Sequence, residues 1–122
     1  MADTYQHLRV NDMTKAVVVE FAQRKILEEL SIIEIGQELS RLAAAFPGRI
    51  LIVSFANVDH LSSGTLGQMI KLREQVARQN GHLILADIRP QIYEVFKITK
   101  LNRLFDISET TAEALDRIAP KP

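Results

Sequence analysis

Apolar positions along the chain follow two rhythms, and the places where one gives way to the other mark the elements. Residues Tyr5 to Val10 alternate weakly, and Ala16 to Phe21, "AVVVEF", is β-branched and apolar, with turn chemistry at Asn11 to Thr14 between them. This predicts two strands joined by a short loop. In "EELSIIEIGQELSRLAAAFPG", Ile32, Ile35, Leu39, Leu42 and Phe46 recur every three or four residues, the stripe of an amphipathic helix. Ser31 and Glu34 stand at capping-box spacing at its start, and Pro47-Gly48 stops it. "RILIVSF", Arg49 to Phe55, is then continuously apolar, as a strand covered on both faces is.

After Ser62-Ser63 the helical rhythm returns through Leu66, Met69, Ile70, Arg73, Val76 and Ala77, up to Asn80-Gly81, a pair suited to a left-handed helix exit. "HLILAD", His82 to Asp87, repeats the buried-strand pattern. Arg49 to Asp87 therefore reads as a β-α-β unit with parallel strands and a right-handed crossover. Pro90 fits the first turn of a third helix, Gln91 to Ile98, and a short edge strand is expected near Leu104 to Ile107. Ser108 or Thr110 caps a last helix to about Ile118, Thr110 with Glu113 repeating the capping-box spacing. The order predicts an α/β fold, a small mixed β-sheet with about four α-helices packed against it.

Composition narrows the function classes. The 122 residues suit one domain, with its core over about 8–118 and a loose tail at 119–122. Fifteen basic and 15 acidic residues leave no net charge, so no field recruits nucleic acid or an anionic membrane. Cysteine is absent, which removes thiol nucleophiles and zinc–thiolate sites and fits a reducing compartment. No secretion signal and no apolar run near the roughly 20 residues of a membrane span is present, so the expected location is the cytoplasm. His7 and His82 lie on predicted strands as half-buried or surface residues, and no metal spacing such as H-E-x-x-H occurs. No metal and no cofactor is expected.

The candidate chemistry lies in "NVDHLSSGTLGQMIKL", where strand gives way to helix. A serine there is in the first instance an N-cap, its hydroxyl accepting from an unpaired backbone N–H. One hydroxyl is enough for that, and Ser62 and Ser63 supply two. Gly64 keeps the first turn clear of side chains, and a helix N-terminus holds an anion or phosphate on its free amides. A phosphate would add about −1.5 to −2 charges, enough to repel an acidic partner or to penalise a packed apolar contact.

"LIVSFANVDHLSSGTLGQMIKL" and "NGHLILADIRPQIYEVFKITKLNRLFDI" resemble the STAS domain of anti-sigma factor antagonists and their stressosome relatives. The likeness in element order runs from about Leu8 to Ile118, and its specific part is Val53 to Leu66 with Asp87 to Ile107. It implies a β-sheet with four helices to one side. It also implies a partner, a serine kinase that sequesters a sigma factor and phosphorylates the antagonist on a serine. The family motif is Asp-Ser-Ser-Gly-Leu-Gly, and its acceptor, the second serine, falls on Ser63, with Ser62 as the alternative. By the same resemblance Asp59, His60, Leu61, Ser62, Ser63, Gly64, Thr65 and Gly67 form the partner-binding surface. The chain departs from the motif at Leu61, in the place of the aspartate, and in "GTLG", which shifts Gly67 by one residue. "FAQRKILEELS" also lacks the Gly and Asp found in many members after the second strand.

Other readings follow from the same residues. An unphosphorylated STAS scaffold, assembling with its own copies or with other STAS proteins, is favoured by Leu61. The resemblance also allows weak nucleotide binding, for which Lys97, Lys100 and Arg103 offer a basic cluster that reads first as a solvated face. Ser63 with His60 and Asp59 sketches a hydrolase, but no G-x-S-x-G elbow accompanies them. The expected function is regulated binding, not catalysis. Ile92, Tyr93, Val95, Phe96, Ile98, Leu101, Leu104 and Phe105 exceed one buried stripe on a short helix, so the segment either turns twice to bury them or leaves some exposed.

Overall fold

The computed structural model describes residues 5–118. Strands β1 (Leu8–Asp12) and β2 (Val17–Phe21) form the expected hairpin, closed by the Met13 N–H donating to the Ala16 carbonyl. A two-residue strand β3 (Lys25–Ile26) follows, then helix α1 (Glu29–Ala45). Strand β4 (Ile50–Ser54) leads through the two-residue β5 (His60–Leu61) to α2 (Ser63–Arg78), and β6 (His82–Ala86) returns into the sheet. Helix α3 (Pro90–Ile98), a 3-10 turn at Leu101–Arg103, β7 (Asp106–Ile107) and α4 (Thr111–Arg117) complete the order. The loose tail expected at 119–122 lies outside the described residues.

The main sheet runs β1-β2-β4-β6-β7, antiparallel only at β1. The β4-α2-β6 unit is the predicted parallel crossover, and β4 is central because "ILIVS" offers apolar side chains to both faces. Leu51, Val53, Leu83 and Leu85 point into the core beneath α1, α2 and α3, where Ile35, Leu39, Leu66, Met69 and Phe96 meet them. Their neighbours Ile52, Ile84 and Ala86 face the other way and are covered by Ala114, Leu115 and Ile118 of the α4 segment. Three helices thus lie on one face and α4 on the other, which corrects the one-sided arrangement drawn from the resemblance. A central strand apolar on both faces needs cover on both.

Helix starts differ from expectation in one case. Helix α1 begins at Glu29, so Ser31 sits inside its first turn and caps nothing. Thr110 is the N-cap of α4, its hydroxyl accepting from the Glu113 N–H at 3.0 Å, as the spacing predicts. Asn80 takes the left-handed exit after α2 at φ 65°. Gly81 beside it is needed for a different reason, because a Cβ there would stand 2.5 Å from the Arg49 carbonyl oxygen. His7 is buried, where a half-buried or surface position was expected. Its backbone N–H donates to Glu38 and its ring lies 2.9 Å from Glu34 on α1.

Among the aromatic-rich residues 92–105 both alternatives hold in part. Ile92, Phe96 and Phe105 are buried, Tyr93, Val95 and Leu101 are half-buried, and Ile98 and Leu104 are exposed. The chain turns at Lys100, φ 62°, which brings Phe105 back onto Phe96 at 6.0 Å between centroids but leaves Ile98 outside. Lys97, Lys100 and Arg103 are solvated, as expected.

Candidate functional site

Because β2, β4, β6 and β7 run parallel, the segments that follow them gather at one edge of the sheet, the usual place for a site in an open α/β fold. The double serine is there. After β4 the chain turns at Val58, whose N–H donates to the Phe55 carbonyl, and crosses toward β3. The Arg24 carbonyl accepts from the Asp59 and His60 amides, and the Ile26 carbonyl accepts from the Ser62 amide at 3.0 Å. The short β3–β5 ribbon therefore fixes the direction in which α2 departs. Neither of its two-residue strands is long enough to show a period in the sequence.

Ser63 is the first residue of α2 and is exposed, as is Gly64. Among the described residues, the amides of Ser63 and Gly64 donate to no protein acceptor, while the Thr65 N–H bonds the Ser62 carbonyl at 3.1 Å. Two free donors thus sit in the first turn, at the positive end of a 16-residue helix. Leu66 and Met69 are buried and hold this turn against the sheet, and Gly67 is exposed one turn on.

Ser62 occupies the N-cap position in extended conformation, but its hydroxyl makes no capping bond, which corrects the role expected of it. Its Oγ is buried without a hydrogen-bond partner, and so is Oγ1 of the fully buried Thr65. Thr65, expected on the partner surface, instead faces the core. Leu61 is half-buried in β5, and His60 beside it is exposed.

Asp59 is engaged elsewhere. Its Oδ2 accepts from Arg24 Nε at 2.9 Å and Nη2 at 2.6 Å, and Oδ1 lies 3.4 Å from Arg89 Nη1. The Arg24 hydrogen bonds hold the Asp59 carboxyl below its ordinary value against an opposing desolvation, and the charges of Arg24, Arg89 and His60 act in the same direction. Arg89 also donates to the Ala56 carbonyl, so one ionic cluster fastens the loops after β2, β4 and β6 to each other. No hydrogen bond joins Asp59, His60 and Ser63 among the described residues. A second knot lies alongside, where Asp87, at φ 59°, accepts from the Ser54 hydroxyl at 2.6 Å and from the Thr111 amide and hydroxyl. Sequence reading missed Arg24, Arg89 and Asp87, since each acts on residues distant in the chain.

The family model of the STAS domain matches residues 10–114, and the chain belongs to that family. A STAS-domain containing protein of Pseudomonas aeruginosa is 30% identical to it over 64 residues, 52% of this chain. BtrV of Bordetella bronchiseptica, described there as a proposed anti-sigma factor antagonist, is 25% identical over 76 residues, 60% of this chain. These matches span 63% and 66% of the two relatives' own lengths. Among solved structures, an anti-sigma-factor antagonist (STAS) domain protein from Planctomyces limnophilus superimposes with a TM-score of 0.83 at 17% identity, covering 93% of this chain and 98% of that one. The Bacillus cell fate determinant SpoIIAA in its phosphorylated form gives 0.67 at 19% identity, covering 92% and 99%. At such identities the structural likeness speaks for the fold. Among the described residues no helix is long and apolar enough to cross a membrane.

Proposed function

We propose that this STAS domain is an anti-sigma factor antagonist that works by partner switching. It binds a sigma-sequestering serine kinase through the surface of Asp59, His60, Leu61, Ser62, Ser63, Gly64 and Gly67, and a phosphate on Ser63 releases it. The observation that carries the reading is the exposed Ser63 at the start of α2, in a first turn with two free backbone amides. The hydroxyl is accessible to a kinase, and the amides offer the product phosphate two donors. Rigidity around it supports the reading too, since the Arg24–Asp59–Arg89 cluster and the β3–β5 ribbon hold the loop in one shape before a partner arrives. The arrangement suits binding and not turnover of a substrate, because the Asp59 carboxylate is occupied by arginines and does not orient His60.

The second reading is a scaffold module that stays unphosphorylated and assembles with its own copies or with other STAS proteins. One observation favours it. Leu61, in the place of the motif aspartate, puts an apolar side chain beside the serines, and the nearby Asp59 does not replace that carboxylate. Incubation with purified serine kinases and ATP, read by phosphosite mass spectrometry, separates the two. Phosphate on Ser63, absent from Ser63→Ala, supports switching, whereas an unmodified protein that forms large assemblies in light scattering supports the scaffold.

A further inference from the structure

The outer face of α1 carries Gln37, Ser40 and Arg41 in its later turns, but its first two turns present Leu30 and Ile33 to solvent. These are 65% and 46% exposed, and Leu27, just before the helix, is 53% exposed. The buried stripe of α1 is already supplied by Ile32, Ile35, Leu39 and Leu42 on the opposite side, so the core does not need them. Leu30 and Ile33, three apart, are neighbours on the helix surface.

The first turns of α1, which carry this face, pack against the start of α2. Leu27 follows Ile26, whose carbonyl accepts the Ser62 amide, and the Ile32 side chain lies 3.5 Å from where a Gly64 Cβ would stand. A Cβ on Gly67 would meet nothing within 4 Å. A glycine inside a helix destabilises it relative to alanine, and here no internal contact calls for one, so the surface at Gly67 is left open to solvent. Glu28 and Glu29 border the apolar residues, exposed and, among the described residues, without an ion pair. They disfavour an anionic membrane and suit a protein partner that brings cations.

We infer that Leu27, Leu30 and Ile33 form the apolar centre of the docking surface, and that the partner presents an apolar cleft bordered by lysine or arginine opposite Glu28 and Glu29. The inference rests on the partner-switching reading and extends it to the affinity of the dock. It also specifies how release works. Ser63 stands at the margin of a face that is dry in the complex, so a phosphate there acts by its desolvation cost and not by repelling an acidic partner.

The test is calorimetric titration of purified anti-sigma serine kinases, from the genome that encodes this chain, into wild-type protein, Leu30→Gln, Ile33→Gln, the double variant, and the charge reversal Glu28→Lys/Glu29→Lys. Each glutamine variant is expected to lose about tenfold in affinity with an unchanged melting temperature, and the reversal to weaken binding most at low salt. A double variant that binds within about twofold of wild type overturns the inference and leaves the Ser63 reading standing. Wild type that binds no kinase overturns both. Self-association, or binding to anionic vesicles, that replaces kinase binding and is lost in the glutamine variants assigns the face to a second copy or to lipid and also overturns it.

Discussion

Two hydroxyl residues that look alike in the sequence differ in what their oxygens do. Thr110 accepts from Glu113, whereas Ser62, also at an N-cap position, has a buried hydroxyl with no partner. Thr110→Ala should therefore cost about 1 kcal/mol of stability, and Ser62→Ala should stay within about 0.5 kcal/mol, both read by urea unfolding. Asp59 and Asp106 each add acid sensitivity. At Asp106 burial works to raise the carboxyl, but the hydrogen bonds from His82 and Arg117 outweigh it, so both aspartates titrate below the ordinary 3.8. A depressed folded value means that the unfolded chain binds more protons in that window. The stabilisation is complete above 3.8 and is lost as pH falls through the folded values. Asp59→Asn should lower stability at pH 7 and flatten its decline in acid, and a decline as steep as that of wild type would show that the Arg24 pair is not its source. The place of Ser63 was legible because strand and helix rhythms meet there. The commitment of Asp59 to Arg24 was not, since 35 residues separate them and no local pattern encodes such a pair.

Elements with a long period were readable, and of the three two-residue strands only β7 was expected, near Leu104 to Ile107. The helices α1 and α2 and the strands β2, β4 and β6 follow from stripes and apolar runs, while β3 and β5 hold two residues each and exist only because they pair with each other. The start of α1 was misread because Ser31 and Glu34 imitate a capping box inside a helix that begins two residues earlier. Glycines make the element-scale arguments testable. Gly67→Ala should raise stability by about 0.5–1 kcal/mol, since alanine is the better helix former and the space is open. Gly81→Ala should destabilise clearly, because its Cβ would meet the Arg49 carbonyl oxygen, a backbone atom that cannot swing aside. Denaturation midpoints of the two variants moving the same way would contradict this account of the α2 ends.

At the scale of the molecule, the site rests on a row of phenylalanines. Phe21 and Phe55, at the ends of the strands that lead into the site loops, lie 5.1 Å apart, and Phe55 stacks edge-on to Phe96 at 6.3 Å. Such pairs add about 0.5–1.5 kcal/mol each beyond their burial, so the loop that carries Asp59 and Ser63 leaves from a core of packed aromatic rings. The strand order indicated the mixed sheet. The position of α4 on the back face was not legible. Its seven residues carry too few apolar positions to announce a face, and its anchors, Asp87 to Thr111 and Arg117 to Asp106, are tertiary.

The central claim is that a kinase reaches the exposed hydroxyl of Ser63 and that the phosphate placed there ends the complex. Its most direct test is native mass spectrometry of the chain with purified anti-sigma serine kinases, before and after ATP is added. The account predicts a complex without ATP, then free protein carrying one phosphate that maps to Ser63, with Ser63→Ala remaining bound. A phosphate mapped to another residue, or a complex that persists with Ser63 phosphorylated, would contradict it.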